Sequence, residues 1–301
     1  MKHGKIHIFT DCDLDGAMSY LAYTWFHGPA PVTVCRVNDL LKSFKIWLKS
    51  HNPDDYDTIY FLDLDTSNNQ ELINLIDREN VTIIDHHTSH VENLDKYKHA
   101  NQLVQEYTSA SRLIYKIFTD TTDVQLTNEQ KLLILLVDDY DSYKLEIPNS
   151  YELNVLFWNY TGDRLKKFIS EFGSGFIKFT DQQQNAINFH MKKLQNLKDS
   201  LNVFETTLPI KSTKYKVVST FANSCINDIA DHIIKTYQAD IGLVINTTSN
   251  KVSFRKSTEC DVDLAKLSQS MCEDGGGHSF AAGGILCDKF MEISKLFTPI
   301  A

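Results

Sequence analysis

The segment KIHIFTDCDLDG, residues 5–16, decides how the chain is read. Residues 5–10 form a strand-like run that ends on aspartates at alternating positions, Asp11, Asp13 and Asp15, closed by Gly16. In extended backbone the side chains alternate with period two, so the three carboxylates are expected on one face. Crowded carboxylates repel, and keeping them together is costly unless a cation sits among them. The spacing therefore asks for a metal. D-x-D-x-D-G also opens a calcium-binding EF-hand loop, but that loop needs a bidentate Glu at its twelfth position and a helix before it. Here the twelfth position is Ala22, and residues 7–9 read as strand.

The same punctuation recurs down the chain. Strands are expected at 32–37, 58–62 and 81–84, alternating with helices at 17–26, 40–49 and 70–79. Such alternation implies right-handed crossovers and a mostly parallel sheet. Helical spacing then dominates from about 109 to 201, with apolar periodicity at 113–118, 129–137 and 182–197. Strand signals return at 216–219, 241–246 and 251–255, around a helix at 227–237. At roughly 150 residues per domain, 301 residues suggest two domains. The expected fold is α/β, with a parallel-sheet domain over 1–200 and a smaller α/β domain over 205–301.

Three strands deliver metal-ligating groups at their carboxyl ends. Asp11, Asp13 and Asp15 follow the first, Asp63 and Asp65 follow 59–62, and Asp85, His86 and His87 follow 81–84. Ligands collect at the carboxyl ends of strands in open parallel sheets. Asp138, Asp139 and Asp141, after the aliphatic run 132–137, can add a further carboxylate. Asp65, ahead of Thr66 and Ser67, also suits a plain helix cap. Carboxylates with imidazoles favour Mn²⁺, with Fe, Co, Zn or Mg as lesser options. Five or six ligands exceed what one ion needs. A pair ~3.5–4 Å apart, clamping a phosphoryl group and lowering the pKa of water, accounts for them.

Composition narrows the class. Thirty basic against thirty-nine acidic side chains leave a net charge of −9, with 42% hydrophobic and 11% aromatic residues. That is a globular composition, and a poor one for wrapping long nucleic acid. The longest aliphatic run is six residues, against the ~20 a membrane span requires. The N-terminal segment reads as no signal peptide. Six scattered cysteines without a C-x-x-C pair argue for a reducing, cytoplasmic setting and against a thiolate zinc site.

The densest glycine cluster lies at 274–284, DGGGHSFAAGG. Gly275, Gly276 and Gly277 allow close backbone approach, and their N–H groups can form a phosphate-binding nest beside His278. Arg255 can add a bidentate grip. A tight turn packed on a helix suits the cluster equally.

Together, Asp13-x-Asp15-Gly16, Asp65, Asp85-His86-His87, a later Asp and the distant Gly-Gly-Gly-His resemble the DHH phosphoesterase superfamily, in its branch with an associated DHHA1 domain. That branch includes RecJ-type exonucleases, nanoRNase and pAp-phosphatase types, and cyclic-dinucleotide phosphodiesterases. The resemblance implies two Mn²⁺ ions, with Mg²⁺ or Co²⁺ as substitutes, at a cleft between two lobes. It implies metal ligation by Asp11, Asp13, Asp15, Asp65, His86, His87 and Asp139 (Asp138 as runner-up), with Asp65 bridging. Asp85, His86 and His87 are then the catalytic trio, Asp85 supporting the imidazoles. Arg255, Gly275, Gly276, Gly277 and His278 bind substrate.

Many small members carry a His four residues before the first ligand Asp, where this chain has Phe9, and RecJ-like members carry an acid at the Asp11 position. The Gly-Gly-Gly-His motif disfavours pyrophosphate as substrate. With no further domain expected after Ala301, the reading favours a short oligonucleotide, a dinucleotide or a nucleotide over a polymer. It is compatible with a homodimer and with no membrane partner. A RecJ-like single-strand DNA exonuclease and a nucleotide-binding sensor with a decayed metal site are the alternatives.

Overall fold

The computed structural model describes residues 4–277, 279–286, 293 and 296. His278 lies outside them. The chain divides into two compact units, 1–187 and 188–301.

The first unit is built on five parallel strands. In chain order its elements are β1 (Ile6–Thr10), α1 (Leu14–His27), β2 (Val32–Val34), α2 (Leu40–Leu48), β3 (Thr58–Leu62), α3 (Gln70–Ile76), β4 (Val81–Asp85), α4 (Thr88–Val91), β5 (Asn101–Val104), α5 (Ala110–Thr121), α6 (Asn128–Asp141), α7 (Ser150–Asn159) and α8 (Arg164–Phe172); α9 (Asp181–Asp199) runs on into the second unit. The sheet order is β2-β1-β3-β4-β5. Alternation along each strand feeds two cores. Ile8, Leu62 and Ile84 face one layer with α1, α5, α6, α7 and α8, while Phe9, Phe61 and Ile83 face another with α2 and α3. Helices on both faces explain why these strands read as nearly continuous apolar runs. This 2-1-3-4-5 order is doubly wound, and its topological switch point lies between β1 and β3. The first acidic loop follows β1, and Asp63 follows β3.

The expected extended arrangement of Asp11, Asp13 and Asp15 does not occur, because the backbone turns helical at Leu14. Asp13 is the N-cap of α1, its carboxylate accepting from Gly16 N at 2.9 Å. Asp15 sits in the first helical turn. The capping bond outcompetes an extended backbone because it satisfies a donor that the helix start would otherwise leave unpaired.

The second unit holds a six-stranded sheet in the order β10-β11-β9-β8-β7-β6. Its elements are β6 (Val203–Ile210), β7 (Thr213–Phe221), α10 (Ile226–Tyr237), β8 (Ile241–Asn246), β9 (Lys251–Lys256), α11 (Leu264–Met271), β10 (Glu273–Gly277) and β11 (Ala281–Ile285). Only β7 and β8 pair in parallel; the other pairs are antiparallel. The mixed α/β class expected from the sequence is present in both units. The glycine cluster, expected as a phosphate-binding nest or a tight turn packed on a helix, forms the paired strands β10 and β11. A Cβ at Gly275 would stand 2.3 Å from the Ser268 carbonyl oxygen of α11, so glycine there permits close strand–helix packing.

Candidate metal centre

Four segments meet at the carboxyl edge of the parallel sheet. At the end of β3, Asp63 leaves the extended conformation, with φ of 56°. Asp is among the few non-glycine residues that tolerate this region. The bend puts Asp63 Oδ1 3.2 Å from His86 Nε2. Asp141, at the end of α6, puts its Oδ2 3.5 Å from the same nitrogen. Ligand atoms of Asp63, Asp85, His86 and His87 lie within 4.8 Å of one another, as do those of Asp15, His86 and Asp141. Asp15 is held from the side by the N-terminus of α5, where Ala110 N and Ser111 N donate to its two oxygens at 2.7 and 3.1 Å.

Asp85 is fully buried and orients two imidazoles. His87 Nδ1 lies 2.7 Å from one of its oxygens and His90 Nδ1 2.8 Å from the other. Burial alone would raise the Asp85 pKa, but His87 and then His90 outweigh it and hold it far below the usual range. A carboxylate that stays ionised only accepts, so both Nδ1 atoms are donors. For His87, burial opposes the charge, yet Asp85 outweighs it and raises the pKa to about 10.

The remaining acids behave oppositely. Burial, then repulsion from Asp15, Asp13 and Asp141, pushes Asp63 well above the usual carboxylate range. Asp141 rises likewise through burial and through Asp15 and Asp13. Asp15 rises to about 7, chiefly by burial, and Asp11 to about 6 by burial and by Asp13. Among the described residues the buried His90 Nε2 and Asp141 Oδ2 make no hydrogen bond, Asp141 Oδ2 having only its 3.5 Å approach to His86 Nε2. Several buried carboxylates that resist ionisation beside unpaired acceptor atoms form a donor set that a divalent cation completes. The residues present therefore fit the metal that the sequence asks for.

The structure brings some expected ligands together and leaves others apart. Asp15, Asp85, His86 and His87 meet as described. Asp11 and Asp13 lie next to this group and line a cavity of about 230 Å³ that also reaches Phe157 and Arg164. Asp65 does not join Asp63 and His86. It accepts from Ser67 N and Ser67 Oγ at 2.9 and 2.7 Å, and from Asn68 and Ser89 side chains, and its ligand atom lies within 4.8 Å of those of Asp85 and His90. Asp139 does not join either. It accepts from Glu146 N, Ile147 N and Ser150 Oγ, pinning the loop after α6. Asp138 accepts from Ser109 N at 2.7 Å. Phe9 packs flat on Phe61 in the core, with ring centroids 5.0 Å apart.

Asp63 and Asp141 are among the acids the sequence singles out, but the resemblance assigns the ligand roles to Asp65 and Asp139 instead. Asp63 had a signal, as the first polar residue after an apolar strand. Asp141 lies three residues after Asp138, on the same side of the helix by 3.6-residue spacing, whereas Asp139 does not. In the second unit, Arg255 donates to Asn227 Oδ1 at 2.7 Å, Gly277 has φ of 127°, and a Cβ at Gly276 would meet open space.

Residues 5–137 match the family model of the DHH family, N-terminal domain. No curated protein matches the chain. Among solved structures it is similar to PggH, a pGpG-specific phosphodiesterase of Vibrio cholerae, with TM-score 0.60 and 14% identity over 97% of this chain and 96% of that one. It is similar to an exonuclease RecJ bound to manganese, with TM-score 0.55 and 11% identity over 97% and 88%. RecJ of Thermus thermophilus in complex with Mn²⁺ gives TM-score 0.53 and 14% identity over 97% and 51%. At these identities the likeness is one of fold. The family match runs through every strand of the parallel sheet and ends inside α6, so residues 5–137 resemble the N-terminal domain of the DHH family.

Proposed function

We propose that the chain is a metal-dependent phosphoesterase that hydrolyses phosphodiester or phosphomonoester bonds of short oligonucleotides, dinucleotides or related nucleotides. The observation that carries this reading is the meeting of Asp15, Asp63, His86 and Asp141 at the switch point of the sheet, with Asp85 and His87 beside them. In this reading Asp63, rather than Asp65, is the shared ligand, and Asp141, rather than Asp139, is the fourth-segment ligand. Asp15, His86 and His87 complete the set, with Asp11 and Asp13 on the cavity side. The oxygen-rich donors with two imidazoles favour Mn²⁺, with Mg²⁺ or Co²⁺ as substitutes. Divalent cations there would polarise a phosphoryl oxygen and lower the pKa of water.

The protein's own groups do the rest. Asp85 fixes the proton on His87 Nδ1 and so leaves Nε2 unprotonated as a ligand when a cation binds. The α5 amides keep Asp15 from swinging away. Asp63 and Asp141 flank His86 Nε2 at 3.2 and 3.5 Å, so the three would share one cation. Within the second unit, Arg255 and the backbone of 275–277 remain candidates for a phosphate contact; His278 lies outside the described residues. The net charge of −9 favours a short substrate over a long strand.

The test is a substrate panel with Mn²⁺, covering short oligoribonucleotides, linear and cyclic dinucleotides, nucleoside bisphosphate and long single-stranded DNA. Cleavage of a short member that is lost in Asp63→Asn supports the reading. Inertness toward every short member with Mn²⁺ bound defeats it.

A further inference from the structure

A second group of metal-ligating side chains lies in the second unit, remote in sequence from the acidic motifs. His190 on α9, Cys225 at the N-cap of α10 and Asp228 in the first turn of α10 bring one ligand atom each within 4.8 Å of one another. Cys225 Sγ lies 3.9 Å from His190 Nε2. In tetrahedral zinc, a sulfur at ~2.3 Å and a nitrogen at ~2.05 Å from the ion stand about 3.6 Å apart, so this pair needs only a small adjustment to share one. All three residues are half-buried.

Packing fixes the positions. Leu194, one turn beyond His190, and Ile229, next to Asp228, both belong to the apolar cluster between α9, α10 and the sheet. The ligands thus come from two helices locked together by a dry contact, which is what a preorganised site requires. The helix N-terminus favours the anionic thiolate and carboxylate, and these two charges neutralise a divalent cation.

We infer that His190, Cys225 and Asp228 form a binding site for a single thiophilic divalent cation, Zn²⁺ or Co²⁺ in class, distinct from the oxygen-rich centre. A thiolate with an imidazole selects zinc-like ions over Mg²⁺ and Mn²⁺. Three protein ligands leave a fourth position for water. Burial lowers the pKa of His190 and raises that of Cys225, so the metal-free pair is a neutral imidazole facing a thiol. Binding then forms a sulfur–metal bond and releases the thiol proton to solvent. The Cys-x-x-Asp spacing with a distant histidine escapes a search for C-x-x-C pairs, which is why the cysteine pattern suggested no such site.

The test is a Co²⁺ titration of the reduced full chain in excess Mg²⁺. Within three equivalents, two of them allowed for the oxygen-rich centre, Co²⁺ is expected to produce a thiolate-to-cobalt charge-transfer band in the near ultraviolet, bleached by Zn²⁺. Cys225→Ser abolishes the band, and His190→Gln weakens Co²⁺ binding at least tenfold. Cys12→Ser, which alters the thiol beside Asp11 and Asp13, leaves the band in place. No band by three equivalents overturns the proposal, as does a band that survives in Cys225→Ser. Because Asp63→Asn keeps all three ligands, the band persists there even if phosphoesterase activity is absent, so this inference and the proposed function fail separately.

Discussion

Replacing Asp63 by Asn should stabilise the metal-free protein while removing its metal response. Asp63 is 2% exposed and is pushed toward its protonated form by burial and by Asp15, Asp13 and Asp141. A carboxyl group whose folded pKa exceeds its unfolded value leaves the native state holding more protons, so stability falls as pH rises between the two values. An ionised carboxylate buried among like charges is costly, at roughly 1.4 kcal/mol for each tenfold bias toward the protonated form. The Asn side chain carries no charge to resist, and it keeps an oxygen within reach of His86 Nε2. Allowing for some lost contact, the gain is on the order of 2 kcal/mol at pH 8 in chelator. At ~2–4 °C per kcal/mol for a unit of this size, Tm rises by about 4–8 °C. The assay is calorimetry in EDTA at pH 8 and pH 4.5. The gain should shrink at pH 4.5, where the wild-type carboxyl already carries its proton, and Mn²⁺ should raise the wild-type Tm more than that of the variant. A variant less stable than wild type in EDTA at pH 8 would refute the account of a strained carboxylate cluster.

Three further outcomes follow from the same geometry. Asp139→Ala leaves Glu146 N, Ile147 N and Ser150 Oγ without an acceptor, so a stability loss of about 2–4 kcal/mol by urea denaturation is expected, with Mn²⁺ stoichiometry unchanged. Asp85→Asn removes the acceptor of two imidazoles and should cost about 3–5 kcal/mol. The depressed pKa of Asp85 makes that contribution available above pH 3.8, and the raised pKa of His87 makes it fade as pH approaches about 10, so the melting gap should be wide at pH 5.5 and narrow at pH 10.5. Gly16→Ala would place a Cβ 2.4 Å from the Asp11 carbonyl oxygen, which is backbone and cannot rotate away. Calorimetric titration should show at least a tenfold loss of Mn²⁺ affinity.

The sheet was legible in the sequence because a strand buried on both faces writes a short, nearly unbroken apolar run. The 58–62 run coincides with β3, and the 81–84 run stops one residue short of Asp85 at the end of β4. The carboxyl-end positions of Asp85, His86 and His87 followed directly. What failed was the assumption of straight backbone beyond the strands. Period-two reasoning applied to 11–15 misses a helix that begins at Leu14, and nothing in the 63–65 sequence announces the left-handed turn at Asp63. A single non-extended residue redirects every later side chain, and Asp63 groups with His86 and His87 while Asp65 groups with His90. At α6 the apolar periodicity ends at 137, whereas the helix continues through Asp141 and helical phase then separates Asp139 from Asp138 and Asp141. The β10–β11 pair was hidden because glycine is depleted in strands and nothing local announces its close approach to α11.

Mn²⁺ stoichiometry in Asp141→Asn and Asp139→Asn, measured side by side with wild type at neutral pH, tests the central claim most directly. Two ions per chain in wild type and in Asp139→Asn, with at least one lost in Asp141→Asn, is the predicted result. Full binding in Asp141→Asn together with loss in Asp139→Asn would mean that the cluster of Asp15, Asp63, His86 and Asp141 is not where the cations are held.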